Sequence, residues 1–185
     1  MNDALTPAVA PQDVLAFWSA AGPDKWFTKD TAFDDEIRSR FLATYEAAAA
    51  RTLAWDDTAE GALALLIVLD QFPRNIFRGS ARAFAADPLA REIATRAIAR
   101  GLDSQVAVPE RSFFYLPYEH SETLADQERG VALNRASGDA DALKWAELHA
   151  DIIRRFGRFP HRNAVLGRAT TAEEQIFLDG GGFAG

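Results

Sequence analysis

The sequence predicts an all-α fold built from antiparallel helical hairpins, and three observations indicate it. About a fifth of the chain is alanine, the residue with the highest helix propensity. β-branched residues are few, and no run of alternating apolar and polar residues is bounded by the turn signals of a strand. Short connections separate the segments with helical periodicity, which is typical of antiparallel neighbours in a helical protein.

The length and composition of the chain favour one soluble helical domain. Its 185 residues, of which 48% are hydrophobic and 25% charged, are expected to form a core over residues 11–179 between flexible termini. The sequence has no cysteine, which excludes disulfides, thiolate catalysis and cysteine-based zinc sites. We expect neither a cofactor nor a metal.

Charge and hydropathy argue against several classes of partner. The net charge of −7 disfavours nucleic acid and anionic membranes, since both attract basic surfaces. Residues Met1–Pro11 lack the basic and apolar regions of a secretory signal. The longest apolar run, Ala62–Leu69, is far shorter than a membrane-spanning helix. The sequence therefore predicts a cytoplasmic protein and leaves its oligomeric state open.

Two helices are predicted in the first quarter of the chain. The first begins at Pro11, where the missing amide hydrogen is not needed, and ends at Gly22 and Pro23. In the second, Thr31 is the expected N-cap and Asp34 the acid of a capping box. The second helix carries an apolar stripe at helical spacing, formed by Phe33, Ile37, Phe41, Tyr45 and Ala48.

A third helix, from a Thr58 cap to Leu69, is apolar on nearly every side, which predicts that it is the buried centre of the fold. Pro73 is expected to stop or kink it. Asp87 followed by Pro88 predicts the N-cap and first residue of the next helix. Gly101 is expected to end that helix in the left-handed conformation.

Two helices are predicted between residues 109 and 138. One is expected to begin at Pro109 and to break at Pro117, because an internal proline removes a backbone hydrogen bond. The next is expected to take Ser121 as its N-cap and to end at Gly138.

The last two helices have clear start signals. Asp139 is expected to cap a helix that ends at Gly157, and Thr171 with Glu174 forms the capping box of a short final helix. The glycine-rich tail, Gly180–Gly185, is expected to be flexible.

A polar motif, Leu69–Asn75 (LDQFPRN), follows the most apolar helix, and Arg78 comes shortly after it. One interpretation is a ligand pocket in which Arg74 and Arg78 grip an anion while Asp70 and Asn75 orient it. The other is a helix C-terminus at which the arginines bond to the last carbonyl groups. Helix-end chemistry permits both interpretations, and the sequence leaves them open.

A basic motif, RFGRFPHRN, lies in a segment, Ile152–Ala172, that has five arginines, one histidine and no acid. Since the rest of the chain is acidic, this clustering indicates a site for a phosphate, a carboxylate or an acidic peptide. The alternative is that these arginines pair with acids of neighbouring helices. The candidate ligand-binding residues here are Arg158, His161, Arg162 and Asn163.

His120 lies close to two acids, Glu119 and Glu122, near a predicted helix start. It is a candidate general base tuned by either carboxylate, or else a structural hydrogen-bond donor. A metal site is disfavoured, because no pair of ligands shares a helix face at metal-binding spacing. His149 and Asp151 are two residues apart on a helix, so we interpret them as one packed and one exposed side chain.

Four stretches of the chain resemble one family. They are FWS…PDKWFTKDTAFDDEIRSRF, LDQFPRNIFRGSARAFAADPLA, FYLPYEHSETLADQE and HADIIRRFGRFPHRNAVLGRATTAEEQIFL. Together, from Val14 to Leu178, they are similar to the bacterial family called domain of unknown function 924. The resemblance implies a tetratricopeptide-like α-α superhelix of stacked hairpins and carries no catalytic role. The chain departs from the family pattern before His120, where Tyr118 and Glu119 replace a hydrophobic residue and a methionine.

Three hypotheses for function follow. The first is a binding module whose concave face takes a small anionic ligand or a peptide carboxylate through the two motifs. The second is an enzyme without a known signature, in which His120 or His161 acts as acid and base beside the arginines. The third is that both motifs are purely structural and tie helix ends together through arginine–carboxylate bonds. The sequence has no P-loop, GxSxG or HExxH motif that would decide between them.

Overall fold

The structure, a computed structural model, describes residues 8–108 and 110–183. These residues form α-helices joined by turns, one π-helical turn and short 3₁₀ helices, and no strand occurs among them. The all-α prediction is therefore confirmed, while the tetratricopeptide-like stacking stays a prediction. The α-helices are α1 Pro11–Ala21, α2 Pro23–Trp26, α3 Thr31–Ala49, α4 Ala59–Leu66, α5 Phe72–Ile76, α6 Asp87–Ala99, α7 Leu116–Glu119, α8 Leu124–Ser137, α9 Ala140–Phe156 and α10 Ala172–Asp179.

The described residues fall into two compact units. Unit 1 is formed by the described residues of Met1–Arg78 and Arg82–Pro117, and unit 2 by those of Gly79–Ala81 and Tyr118–Gly185. The expectation of one domain with flexible termini stays a prediction. Most of the expected N-terminal extension, residues 1–7, lies outside the described residues.

Unit 1 is organised around the apolar segment that begins with α4. Every residue from Gly61 to Pro73 is buried, which confirms the prediction of a central buried helix. Helices α1 and α6 pack against α4, and α3 packs against α5. The ring of Phe72 lies 4.7 Å from that of Phe41 and 5.7 Å from that of Trp18, between ring centroids. The whole predicted stripe of α3 is buried, because it faces this aromatic core.

Pro73 neither ends this segment nor interrupts its burial. After α4, residues Ile67–Gln71 widen into a π-helical turn, and α5 begins at Phe72 with Pro73 in its first turn. A widened turn removes the need for an amide hydrogen at position 73 and makes room for the proline ring. The chain therefore passes from α4 into α5 with the LDQFPRN motif at the junction.

Two helix starts lie one residue away from the predicted position. Asp30, not Thr31, caps α3, because its carboxylate accepts hydrogen bonds from the amides two and three residues further on. Helix α6 begins at Asp87 with Ala86 in the N-cap position. The Asp87 carboxylate is not a cap because it bonds to Arg74 instead.

The helices around Pro117 also differ from the prediction. Pro117 lies in the first turn of α7 and does not break a helix, since the first turn tolerates a missing amide hydrogen. Residues Glu110–Phe114 form a 3₁₀ helix, and the predicted start at Pro109 lies outside the described residues. Ser121 is not the N-cap of α8, because Thr123 occupies that position and donates its amide to the Ser121 hydroxyl at 3.2 Å.

Unit 2 contains the helical hairpin α8–α9, followed by α10. Gly138 ends α8 in the left-handed conformation and Asp139 caps α9, both as predicted. Gly157 ends α9 in the same left-handed conformation, with a φ of 69°. The predicted capping box of Thr171 and Glu174 is present at the start of α10. These local signals are therefore confirmed.

Candidate functional site

In unit 1, the first half of the LDQFPRN motif is organised around Arg74. Its guanidinium donates two hydrogen bonds to the Asp87 carboxylate, at 3.0 and 3.1 Å. It also lies 3.4 Å from Asp70 Oδ1 and donates to the Asp70 carbonyl oxygen. Both acids are buried. Burial acts to lower the pKa of Arg74, but the charges of Asp70 and Asp87 outweigh burial and raise it above its ordinary value. Arg74 is thus a charged group neutralised within the chain.

The second half of the motif bonds to α3 through Asp34. The Asp34 carboxylate accepts hydrogen bonds from Asn75 Nδ2 at 2.8 Å and from Arg78 Nε and Nη2 at 2.6 and 2.8 Å. Burial acts to raise the pKa of Asp34, but the hydrogen bonds from Arg78 and Asn75 hold it below its ordinary value. Asp34 therefore binds helix α5 and is not the capping-box acid that the sequence predicted.

In unit 2, the RFGRFPHRN motif is joined to α10 by Glu174. Arg158 donates to its carboxylate from Nε at 2.6 Å and from Nη2 at 2.8 Å. Asn163 Nδ2 donates to the same carboxylate at 3.2 Å, and the Thr171 amide donates to it at 2.8 Å. The hydrogen bonds from Arg158 are the main reason that the pKa of Glu174 is lowered to about 2. One buried carboxylate thus holds the motif and starts the last helix.

Glu122 forms a second carboxylate junction in unit 2. It accepts hydrogen bonds from Arg168 Nη1 at 2.7 Å and Nη2 at 3.0 Å, and from the Phe159 amide at 2.8 Å. Burial acts to raise the pKa of Glu122, but Arg168 and the Phe159 amide lower it below its ordinary value. Glu122 therefore bonds the RFGRFPHRN motif, through the Phe159 amide, to the guanidinium of Arg168.

The three histidines of the chain converge in unit 2, around two phenyl rings. The centroid of the His149 ring lies 6.2 Å from that of His120 and 4.7 Å from that of Phe183. The His161 ring lies 5.3 Å from the same Phe183 ring. The Phe159 ring is 5.7 Å from His149 and 5.6 Å from His161. We call His120, His149 and His161 the histidine cluster. The Phe183 ring occupies the space beside His149, His161 and Phe159, which we call the slot.

A buried carboxylate lies against the histidine cluster. His149 Nδ1 is 3.3 Å from Glu119 Oε2, and Glu119 Oε1 accepts a hydrogen bond from Asn134 at 2.8 Å. Glu119 is buried. Arg162 Nη1 donates to the carbonyl oxygen of His120 at 3.0 Å. Glu119 therefore gives His149 an ionisable partner inside unit 2.

The C-terminal turn brings Phe183 into the slot. After α10, the Gly181 amide bonds to the Leu178 carbonyl at 3.2 Å and the Gly182 amide to the Phe177 carbonyl at 2.9 Å. Gly181 has a φ of 78°, which glycine adopts without strain, and a Cβ at Gly182 would lie 2.5 Å from the Phe177 carbonyl oxygen. This pattern of two bonds is the Schellman motif. The tail predicted to be flexible forms this turn, and its last two residues lie outside the described part of the chain.

The nine residues that the sequence analysis selected fall into two groups, one in each unit. Those of unit 1 bond to one another or to Asp34 and Asp87. In unit 2, Arg158 and Asn163 bond to Glu174. The pocket expected from both motifs together stays a prediction. The members of the groups are Asp70, Arg74, Asn75 and Arg78 in unit 1, and His120, Arg158, His161, Arg162 and Asn163 in unit 2.

Two residues of the site, His149 and Phe183, were not predicted from the sequence. His149 is buried and Asp151 is exposed, as predicted, but the contact of His149 with a distant glutamate was not. Phe183 lies in a segment that was expected to be flexible. A single large aromatic residue after three glycines is the signal that could have indicated a packed tail.

The described residues contain neither a cluster of metal ligands nor a helix that could span a membrane. Within residues 8–108 and 110–183, no group of three histidine, aspartate or glutamate residues is placed to hold a metal ion. No helix in the described part of the chain is long and apolar enough to cross a membrane.

The described residues therefore form an all-helical protein with ion-paired helix ends and a histidine cluster. The model of the family described as "Bacterial protein of unknown function (DUF924)" matches residues 14–182, and the chain belongs to this family. The chain is also similar to the solved structure of the protein of unknown function ATU0120 from Agrobacterium tumefaciens. That similarity has 51% sequence identity and a TM-score of 0.89, and it covers 92% of this chain and 97% of that chain. No curated protein matches the chain significantly.

Proposed function

We propose that the chain is a binding module and that the slot of the histidine cluster takes an aromatic side chain of a peptide. The observation that carries this proposal is Phe183, a residue of the chain's own tail that fills the slot. Its ring meets those of His149 and His161 nearly edge-on, at interplanar angles of 87° and 75°. An intramolecular ligand of this kind supports a site for a similar segment of another chain.

The chemistry of the slot favours an aromatic ring. Edge-to-face ring pairs contribute about 0.5–1.5 kcal/mol beyond the area that they bury. Ile152, Ile153 and Phe159 form an apolar cluster against which Phe183 packs, and an aromatic side chain gains about 1.5–3 kcal/mol from full burial. Arg162 is buried and lies 4.5 Å from the centroid of the Phe159 ring, where it supports one wall of the slot. The slot thus suits an aromatic side chain of a peptide better than it suits a small anion.

The arginines of the LDQFPRN motif support a different role. Arg74 and Arg78 each form two hydrogen bonds with one internal carboxylate, as Arg158 does in unit 2. Bidentate pairs of this kind fix helix ends relative to each other. We therefore assign these three arginines to the structural role that the sequence analysis kept as its third hypothesis, and we place ligand binding at the histidine cluster.

The test is a chain that ends at Gly182, titrated with the synthetic hexapeptide GGGFAG, which is the sequence of residues 180–185. We expect binding in calorimetry, no binding of GGGAAG, and no binding of either peptide to the full chain, whose own Phe183 competes. His161→Ala should weaken binding of GGGFAG, whereas Ile176→Ala, at an exposed position on α10, should not. Equal binding of the two peptides, or none, would contradict the proposal.

One observation favours the enzyme hypothesis as a second candidate. His149 lies 3.3 Å from the buried Glu119 carboxylate, the arrangement of a general base oriented by an acid. This histidine differs from His120 and His161, which the sequence singled out. A screen of ester and phosphoester hydrolysis by the chain ending at Gly182 tests the candidate. Activity that disappears in His149→Gln supports catalysis, and a screen without activity leaves peptide binding as the better explanation.

A further inference from the structure

Helix α3 ends in a turn that usually needs glycine, but an arginine occupies it. Arg51 has a φ of 59° and is the one non-glycine residue among those described with a positive φ. The amides of Arg51 and Thr52 bond to the carbonyls of Ala48 and Ala47 at 2.9 and 3.0 Å. A side chain at this left-handed position is strained. Residues with strained backbone conformations are concentrated at functional sites of proteins.

The Arg51 side chain is one of two guanidinium groups that hold Glu92 of α6. Arg51 Nη1 and Nη2 donate to the two Glu92 oxygens at 2.9 and 2.5 Å. Arg96 donates to Glu92 Oε1 at 2.5 Å and to Asp56 Oδ2 at 2.9 Å. The hydrogen bond from Arg51 is the main reason that the pKa of Glu92 is lowered to about 2. The place between the two arginines therefore favours a carboxylate.

Arg51 and Arg96 also line a cavity of about 270 Å³ in unit 1. The remaining lining is aliphatic except for Thr52 and Asp56, and it comes from α3, from the loop after α3, from α4 and from α6. The volume is slightly below the usual range for drug-sized ligands, so the cavity suits a small molecule. Its principal aliphatic residues are Leu53, Leu65, Leu89 and Ile93.

We propose that this cavity binds a small aliphatic carboxylate. Its hydrocarbon chain would lie along Leu53 and Leu89, the two partly exposed leucines of the lining. Its carboxylate would take the place of the Glu92 side chain between Arg51 and Arg96. Planar guanidinium groups match both oxygens of a carboxylate, and Glu92 is exposed enough to leave, with 43% of its side chain accessible. This site lies within unit 1 and is independent of the histidine cluster.

The test is calorimetric titration of the full chain with octanoate, and with octan-1-ol as a neutral ligand of the same chain length. We expect octanoate to bind at least about tenfold more tightly than octanol, since a charge-assisted bond is worth about that factor. Arg51→Gly keeps the left-handed turn and removes the guanidinium, so it should fold and weaken octanoate binding by about tenfold or more. Glu92→Gln removes the competing carboxylate and should strengthen octanoate binding.

The matched control is Arg82→Ala, which removes an exposed arginine that pairs with Glu46 elsewhere in unit 1 and should leave octanoate binding unchanged. Thermal unfolding establishes that each variant is folded. The proposal is overturned if Arg51→Gly binds octanoate as well as the wild type, or if octanol binds as tightly. It is equally overturned if neither the wild type nor Glu92→Gln binds octanoate.

Discussion

Replacing Asp34 with alanine should lower the free energy of unfolding by about 1–4 kcal/mol. The substitution removes the acceptor of three hydrogen bonds. Asn75 is buried and would be left with an unsatisfied amide, which costs about 1–3 kcal/mol. Arg78 keeps 36% of its side chain accessible and can be hydrated, so the loss of its ion pair contributes about 1 kcal/mol or less. Asn75 therefore dominates the expected loss.

Urea unfolding followed by circular dichroism measures this loss. Asp35→Ala is the matched control, because Asp35 is the neighbouring acid on the same helix and is exposed. It should change stability by less than about 0.5 kcal/mol. In a double-mutant cycle, Asp34→Ala and Asn75→Ala should couple by about 1 kcal/mol or more. If Asp34→Ala unfolds like Asp35→Ala, the structural role assigned to the LDQFPRN motif is wrong.

Two further predictions concern Glu174 and Gly61. The pKa of Glu174 is lowered from 4.5 to about 2. The stabilising effect of the ionised Glu174 is therefore complete above pH 4.5 and is lost as the pH falls toward 2. Between pH 4.5 and 2, the melting temperature of the wild type should fall more steeply than that of Glu174→Gln. In Gly61→Ala, the new methyl group would lie 2.0 Å from the Trp55 carbonyl oxygen, so urea unfolding should show a loss of about 1–3 kcal/mol despite the higher helix propensity of alanine. The control is Glu60→Ala, at the exposed neighbouring position, which should change the free energy of unfolding by less than about 0.5 kcal/mol. If the two substitutions have equal effects, the backbone at Trp55 moves away from the new methyl group at little cost, and the prediction for Gly61 is wrong.

The helices could largely be predicted from the sequence, because helix signals act over a few residues. The stripe of α3, the cap at Asp139 and the capping box of Thr171 with Glu174 depend on neighbours three or four positions away. Where prediction was wrong, two local signals competed. Asp30 and Thr31 are both good caps, and only the observed backbone shows that Asp30 is used.

Local sequence contains no information on which distant acid meets which arginine. Asp34 lies 41 residues from Asn75 and 44 from Arg78, and their pairing depends on how α3 packs against α5. The same reason explains the histidine cluster, in which His149 meets Glu119 from 30 residues away. Periodicity and capping in the sequence therefore determined the helices of this protein. Tertiary packing decided the partners of its charged residues and the position of Phe183, because those contacts form only after distant helices have come together.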